Sequence, residues 1–154
     1  MDKIQVVYWS QSGNTQAMAE AIGKGIQDSG KEANVVYVGD ASLVELKAAK
    51  VFALGCPAMG AEVLEEGEME PFVSDVEGFA AGKTIALFGS YGWGDGQWMR
   101  DWVERMEGCG AKVLNGEGLM CQDTPDDAAL LECEALGKQL AAMLVGKCYE
   151  IRKA

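Results

Sequence analysis

Ser10-Gln11-Ser12-Gly13-Asn14-Thr15 follows the apolar run Ile4-Gln5-Val6-Val7-Tyr8 and leads into a segment with Met18, Ile22 and Ile26 at helical spacing. A strand that turns tightly into a helix points several backbone N–H groups at one spot, at the positive end of the helix dipole. Hydroxyls at Ser10, Ser12 and Thr15 can add donors there, and the loop contains no Lys or Arg. This is chemistry for a phosphate dianion, made without cationic side chains. A Walker A loop would need a Lys followed by Ser or Thr, and a dinucleotide loop would need G-x-G-x-x-G. Neither pattern occurs, which argues against an NTPase and a Rossmann dehydrogenase. An ordinary strand-to-helix turn with a Ser cap fits the same six residues, so the loop alone does not decide function.

Outward from this loop, strand and helix patterns alternate. Residues 4–8 read as a strand and 14–29 as a helix that Gly30 ends. Residues 33–38 read as a second strand, and Ser42 caps a short helix carrying Leu43 and Leu46. Val51-Phe52-Ala53-Leu54 is unbroken and apolar, as in a strand buried on both faces. Residues 56–67 form a loop, and a helix follows over about 68–76. Residues 83–88 give a fourth strand, 92–96 a loop, and 97–107 a helix. Lys112-Val113-Leu114 begins a fifth strand, interrupted at Gly116-Glu117-Gly118 before Leu119-Met120-Cys121. Thr124 as cap and Pro125 at the first helical position open a last helix, running to about Leu144. Strands and helices in this alternation predict an α/β domain with a three-layer, doubly wound, five-stranded parallel sheet. Residues 146–154 form a tail, either a frayed extension or a short packed segment.

Two more loops lie at carboxyl ends of strands: Gly55-Cys56-Pro57-Ala58-Met59-Gly60-Ala61-Glu62 and Phe88-Gly89-Ser90-Tyr91-Gly92-Trp93-Gly94-Asp95-Gly96. Together with Ser-x-Ser-Gly-Asn-Thr, these stretches resemble, in type and order, the loops of short-chain flavodoxins of anaerobic bacteria, which hold FMN. The resemblance runs from the first strand to about Leu144. It implies a flavodoxin-like FMN-binding domain over 1–145, with 146–154 as a C-terminal tail. It also implies strand order 2-1-3-4-5, with FMN at the switch point between the first and third strands. That placement is known of the family rather than read from these residues.

The resemblance implies cofactor contacts from Ser10, Gln11, Ser12, Gly13, Asn14 and Thr15; from Ala58, Met59, Gly60, Ala61 and Glu62; from Ser90, Tyr91, Gly92, Trp93, Gly94, Asp95 and Gly96; and from Met120 and Gln122. It implies no catalytic residue and no metal ligand. A flavin ring has flat apolar faces and a polar edge. Trp93 stands between glycines, a poor place for a core Trp and a good one for a stacking ring. By resemblance Trp93 covers the outer face and Met59 the inner one. At Gly60 a backbone carbonyl turns toward flavin N5 in this family and stabilises the neutral semiquinone; glycine tolerates such a turn. Ala61 stands where close relatives often have Asp, which alters the energetics of that turn. Glu62 matches the family position that accepts a hydrogen bond from flavin N3–H. The neighbouring Glu65, Glu66, Glu68 and Glu70 read mostly as solvated surface.

The chain has 154 residues, enough for one domain with a real core. Its 13 Lys and Arg against 24 Asp and Glu give a net charge of −11. Nucleic acid would be repelled, and a basic protein surface attracted. Each carboxylate about 10 Å from a reduced, anionic flavin opposes reduction by roughly 0.4 kcal/mol at the dielectric of water. Several together reach ~1.4 kcal/mol, or about 59 mV for one electron. Asp95, Asp123, Asp126 and Asp127 are candidates for this effect. The sequence has no His and five Cys, none in a C-x-x-C pair, so zinc and iron–sulfur sites lack ligands and reduced thiols are expected. Catalysis by Ser-His-Asp or Cys-His is excluded. No long apolar run and no signal-like start occur, so a cytoplasmic protein is expected.

The reading is a low-potential, single-electron carrier with non-covalent FMN, shuttling between semiquinone and hydroquinone. It would be a monomer that docks redox partner proteins on an acidic face. Partners of the pyruvate–flavodoxin oxidoreductase, ferredoxin/flavodoxin reductase or hydrogenase type are implied by resemblance. The alternative is a small FMN-dependent NAD(P)H or quinone reductase, although the loops are short for a substrate site. A receiver-like module would need an acidic cluster after the first strand and an Asp ending the third, where Tyr8-Trp9-Ser10 and Leu54-Gly55-Cys56 stand instead.

Overall fold

The computed structural model describes residues 3–60 and 63–153, with side chains described as far as Leu144. The strands are β1 (Lys3–Tyr8), β2 (Glu32–Tyr37), β3 (Val51–Gly55), β4 (Thr84–Tyr91), β5 (Lys112–Val113) and β6 (Leu119–Gln122). The helices are α1 (Asn14–Asp28), α2 (Leu43–Ala48), α3 (Met69–Glu77), α4 (Gln97–Gly108) and α5 (Asp127–Lys153). Every strand pairing is parallel, in the order β2-β1-β3-β4-β5, and β6 also pairs with β4. The expected order 2-1-3-4-5 is borne out. The break in the fifth strand is also present. β5 lies against Thr84 and Ile85, and β6 resumes against Phe88 to Tyr91. Between them Asn115 and Gly116 take positive φ, so the chain leaves the ladder and returns to it.

The sheet separates two apolar layers by strand alternation. Val7, Phe52, Leu54, Ile85 and Leu87 face the layer built with α3 and α4. Ile4, Val6, Val51, Ala53, Ala86 and Phe88 face the layer built with α1 and α5. Where α1 crosses α5, the backbones nearly touch. A Cβ on Gly25 would lie 2.0 Å from the Glu134 carbonyl oxygen, and one on Gly137 would lie 2.1 Å from that of Ile22. Only glycine permits that approach. On the opposite layer Arg105 of α4 reaches Glu70 at 2.7 Å and Glu77 at 2.8 Å, tying α4 to α3. The Arg105 guanidinium holds the Glu77 carboxyl below its ordinary range against the opposing effect of burial.

Local signals place the helix ends. Gly30 has φ +84, and the N–H groups of Gly30 and Lys31 return to Gln27 and Ile26, a Schellman end for α1. Ser42 accepts the Glu45 N–H, as its capping role requires. The start of α5 differs from expectation. The helix begins at Asp127, and the Asp126 carboxylate accepts the Ala129 N–H at 2.8 Å, so Asp126 rather than Thr124 is the cap. A charged acceptor at the cap position outcompetes the Thr-Pro signal two residues earlier. The helix also continues to Lys153, through most of the segment read as a tail.

Candidate functional site

The carboxyl ends of β1, β3 and β4 are in register: Tyr8 is level with Gly55, and Gly55 with Phe88. The ladder continues into the loops. Trp9 N–H donates to Gly55 O, Cys56 N–H to Phe88 O, and Ala58 N–H to Ser90 O, at 3.0, 3.1 and 3.0 Å. The three quoted loops are therefore held side by side at one edge of the sheet. Between them lies a cleft of about 290 Å³, lined by Gln11, Ser12, Asn14, Pro57, Ala58, Met59, Ser90, Tyr91, Gly92 and Asp123. A larger groove, about 440 Å³, lies elsewhere along the β6 edge, against Asn115, Glu132 and Gln139. It contains none of the quoted loops.

The wall supplied by the loop after β1 is polar. Gly13, with φ +95, leads into α1, and no side chain caps that helix. Its first N–H groups therefore remain available as donors. Ser10 Oγ accepts the Gly13 N–H at 3.1 Å, and Ser12 Oγ lies 3.5 Å from the Asn14 nitrogen. Thr15 has a different position from the one expected of a surface donor. It is buried, its Oγ1 accepts the Ser90 N–H at 3.3 Å, and it lies 3.0 Å from Ser90 Oγ. This buried hydroxyl pair ties the first loop to the end of β4.

The wall supplied by the loop after β3 and the end of β4 carries more apolar residues. Pro57, Ala58, Met59 and Tyr91 line it. Tyr91 packs on buried Trp98, ring centroids 5.6 Å apart, and Trp98 Nε1 donates to Cys56 O at 3.0 Å. Trp93, next in the chain to Gly92, is 58% exposed, as a ring that does not join the core must be. Gly60 has φ +50 and a Cβ there would meet nothing within 4 Å. Met59 before it exchanges two hydrogen bonds with Val63, each 2.9 Å. Ala61 and Glu62, both expected at the site, lie outside the described residues.

Several expected residues sit off the cleft wall. Ser10, Gly13 and Thr15 form its floor hydrogen bonds rather than its lining. Gly94, Asp95 and Gly96 lead into α4; Asp95 pairs with Arg100 at 3.0 Å, which blunts its field. Met120 packs under Gly96, where a Cβ would lie 2.6 Å from its Sδ, and lines a groove beside Arg100. Gln122 is exposed and level with Tyr91.

The glutamates face solvent as read, Glu66 and Glu68 exposed and Glu65 and Glu70 half-buried, but Glu65, Glu68 and Glu70 also make specific contacts. Burial alone would raise the Glu65 carboxyl, but N–H bonds from Met69, Glu68 and Gly67 outweigh it and hold the group below its ordinary range. Glu68 accepts a hydrogen bond from Tyr37 Oη, which pushes that phenol up to about 12, and Glu70 pairs with Arg105. Sequence reasoning left Pro57 out of the site and counted Asp123 only as a charge near the carboxyl end of the sheet. Asp123 lines the cleft with φ +57, its N–H on Tyr91 O at 2.8 Å. An Asp just after a strand, able to adopt the left-handed region, was the available signal. Among the described residues no group of three or more His, Cys, Asp or Glu is placed to hold a metal.

The flavodoxin family model matches residues 6–137. The flavodoxin of Clostridium beijerinckii is 50% identical over 138 residues, covering 90% of this chain and 99% of that protein. The flavodoxin of Megasphaera elsdenii is 41% identical over 138 residues, covering 90% of this chain and 98% of the relative. Among solved structures, two-electron reduced Megasphaera elsdenii flavodoxin superposes with TM-score 0.80 at 40% identity, over 90% of this chain and 98% of that one. A flavodoxin from the domain Archaea gives TM-score 0.83 at 36% identity, over 92% and 97%. This chain therefore belongs to the flavodoxin family, whose members bind FMN and transfer electrons and are not enzymes.

Proposed function

We propose that the cleft between the three loops holds FMN and that the protein passes single electrons at low potential to and from partner proteins. The carrying observation is that the cleft is lined from different loops by two kinds of residue. An uncapped helix N-terminus with Gln11, Ser12 and Asn14 suits a phosphate dianion, and Pro57, Ala58, Met59 and Tyr91 suit a flat ring. Bound FMN supplies a ring that accepts and returns one electron at a time.

The chain's own residues do the rest. The first turn of α1 and Ser12 bind the phosphate, and the Thr15–Ser90 pair fixes that turn against β4. Met59 and Trp93 flank the ring and exclude water from its faces. Gly60 supplies a backbone that can turn toward the ring edge, and Ala61 beside it alters the energetics of that turn. Glu62 receives a ring N–H. The exposed acids at this end, Asp123, Asp126 and Asp127, oppose added negative charge on the ring and lower its potential. The same acidic end faces basic partner proteins, of the pyruvate–flavodoxin oxidoreductase, ferredoxin/flavodoxin reductase or hydrogenase type. The protein works as a monomer in the cytoplasm. Among the described residues no helix is long and apolar enough to cross a membrane.

Titrating apoprotein with FMN while following backbone amide resonances tests the placement. The largest shifts are expected at Ser12, Asn14, Met59, Tyr91 and Gly92. Shifts centred instead on Asn115, Glu117 and Gln139 would move the cofactor to the larger groove and overturn the reading.

A further inference from the structure

The groove along the β6 edge has no part in the cofactor site, and it exists because the fifth strand is broken. β5 pairs with Thr84 and Ile85, and β6 with Phe88 onward, so Ala86 and Leu87 of β4 have no registered partner on that side. The chain leaves the ladder at Asn115 and Gly116, both at positive φ. The space beside the break measures about 440 Å³, within the range of small-molecule sites. Its apolar lining comes from Leu87, Leu114, Leu119 and Leu136. Leu114 and Leu119 pack on the layer under α5 yet stay half-buried, so apolar surface remains open to the groove. Asn115 and Gln139 exchange hydrogen bonds of 3.1 and 3.0 Å and tie the break to α5. The charged lining residues are Glu117 on the break and Glu132 on α5, both exposed. No Lys or Arg lines the groove, and among the described residues neither carboxylate is in an ion pair.

We propose that this groove binds a small aliphatic primary amine, its methylene chain on the leucine floor and its ammonium donating to the Glu117 and Glu132 carboxylates. The proposal does not depend on where FMN binds. Charge and apolar surface together select this chemistry. An anion would meet two carboxylates and no cation. A bare ammonium or metal cation would leave the leucines in water. A neutral alcohol would use the floor and leave the negative charge uncompensated. A cation on an apolar stem satisfies both, as a lysine side chain does when its methylenes lie on apolar surface and its head stays wet. A second copy of this chain is a poor occupant, because it would bring a further net charge of −11. A concave space of this size suits a small molecule.

The test titrates the purified protein, with FMN added, against n-hexylamine, n-hexanol, n-hexanoate and methylamine at neutral pH, following backbone amide resonances. Hexylamine is expected to give saturable shifts centred on Gly118, Leu119 and Gln139, with an affinity of about 1 mM, while Ser12 and Asn14 stay in place. Hexanol, which keeps the stem and loses the charge, should bind about fivefold more weakly. Methylamine, which keeps the charge and loses the stem, should bind at least about tenfold more weakly, and hexanoate more weakly still. Glu117→Gln and Glu132→Gln should each weaken hexylamine by about two- to fivefold and leave hexanol unchanged. Both side chains are exposed, so neither variant threatens the fold. Added salt should bring hexylamine toward hexanol. Hexanol or hexanoate binding as well as hexylamine would overturn the role of the carboxylates. Methylamine binding as well as hexylamine would overturn the role of the floor. No saturable shift by about 50 mM hexylamine, far above the affinity expected, would overturn the site. Shifts centred on the cofactor cleft would overturn it equally.

Discussion

Where α1 meets α5, Gly25 and Gly137 let two backbones approach until any added carbon would strike a carbonyl oxygen, at 2.0 and 2.1 Å. In the loop after β3, Gly60 does the opposite: its surroundings are open to beyond 4 Å, and what it supplies is a backbone at φ +50. One region uses glycine to exclude space, the other to keep conformations accessible. The first is a frame that cannot adjust without losing its packing. The second is a surface loop held at chosen points, by Cys56 and Glu65 below and the Met59–Val63 bridge above. On the proposed reading, stability and redox tuning fall to different parts of the chain, and substitutions should separate them.

The largest effect is expected in the frame. Gly137→Ala must push α5 off α1 and should cost about 3 kcal/mol in urea unfolding, near the upper end of overpacking penalties. FMN affinity of the folded fraction should be unchanged. A loss below about 0.5 kcal/mol would show that the crossing is looser than its distances state. At the site, Trp93→Ala should weaken FMN binding by about 1.5–2 kcal/mol, ten- to thirtyfold, and restore part of the quenched flavin fluorescence. Apoprotein stability should hardly change, because the ring is 58% exposed. Unchanged affinity and quenching would remove Trp93 from the site.

The anchor of the loop should be visible through pH. The Glu65 carboxyl lies below its ordinary range when folded, so its contribution is complete above about pH 4.3 and is lost as pH falls through the folded value. Glu65→Gln should therefore be about 1.5 kcal/mol less stable than wild type at pH 7. The gap should narrow toward pH 3, and a constant gap would mean the charge is not what the three N–H groups hold. Among the frame and loop-backbone substitutions, Gly60→Ala is expected to cost the least stability. About 1 kcal/mol is lost to left-handed backbone, with no steric clash to add to it. Its main consequence should be a shift of the two potentials. A larger loss of stability than that of Gly137→Ala would reverse the contrast between the two regions.

The legibility of the sequence follows the same division. Strands buried on both faces read directly, since Val51-Phe52-Ala53-Leu54 has no reason to be uninterrupted and apolar elsewhere. The positions of the loops also read well, because Ser12-Gly13-Asn14 and Gly92-Trp93-Gly94 carry their turn signals in the local order of residues. Pairings across the fold did not read. Nothing near Thr15 announces Ser90, 75 positions away, and nothing in the glutamate run separates Glu65, which caps backbone, from Glu70, which meets Arg105 35 positions on. The start of α5 failed for a local reason: Thr124-Pro125 and Asp126 are both sound caps, and only their energies choose between them.

Anaerobic potentiometric titration of the purified, FMN-loaded protein, followed by its visible spectrum, tests the central claim most directly. Two resolved one-electron steps, the second well below the first, are expected of a site that holds the ring between Met59 and Trp93 beside Asp123. A single two-electron step, or a protein that takes up no FMN, would contradict it.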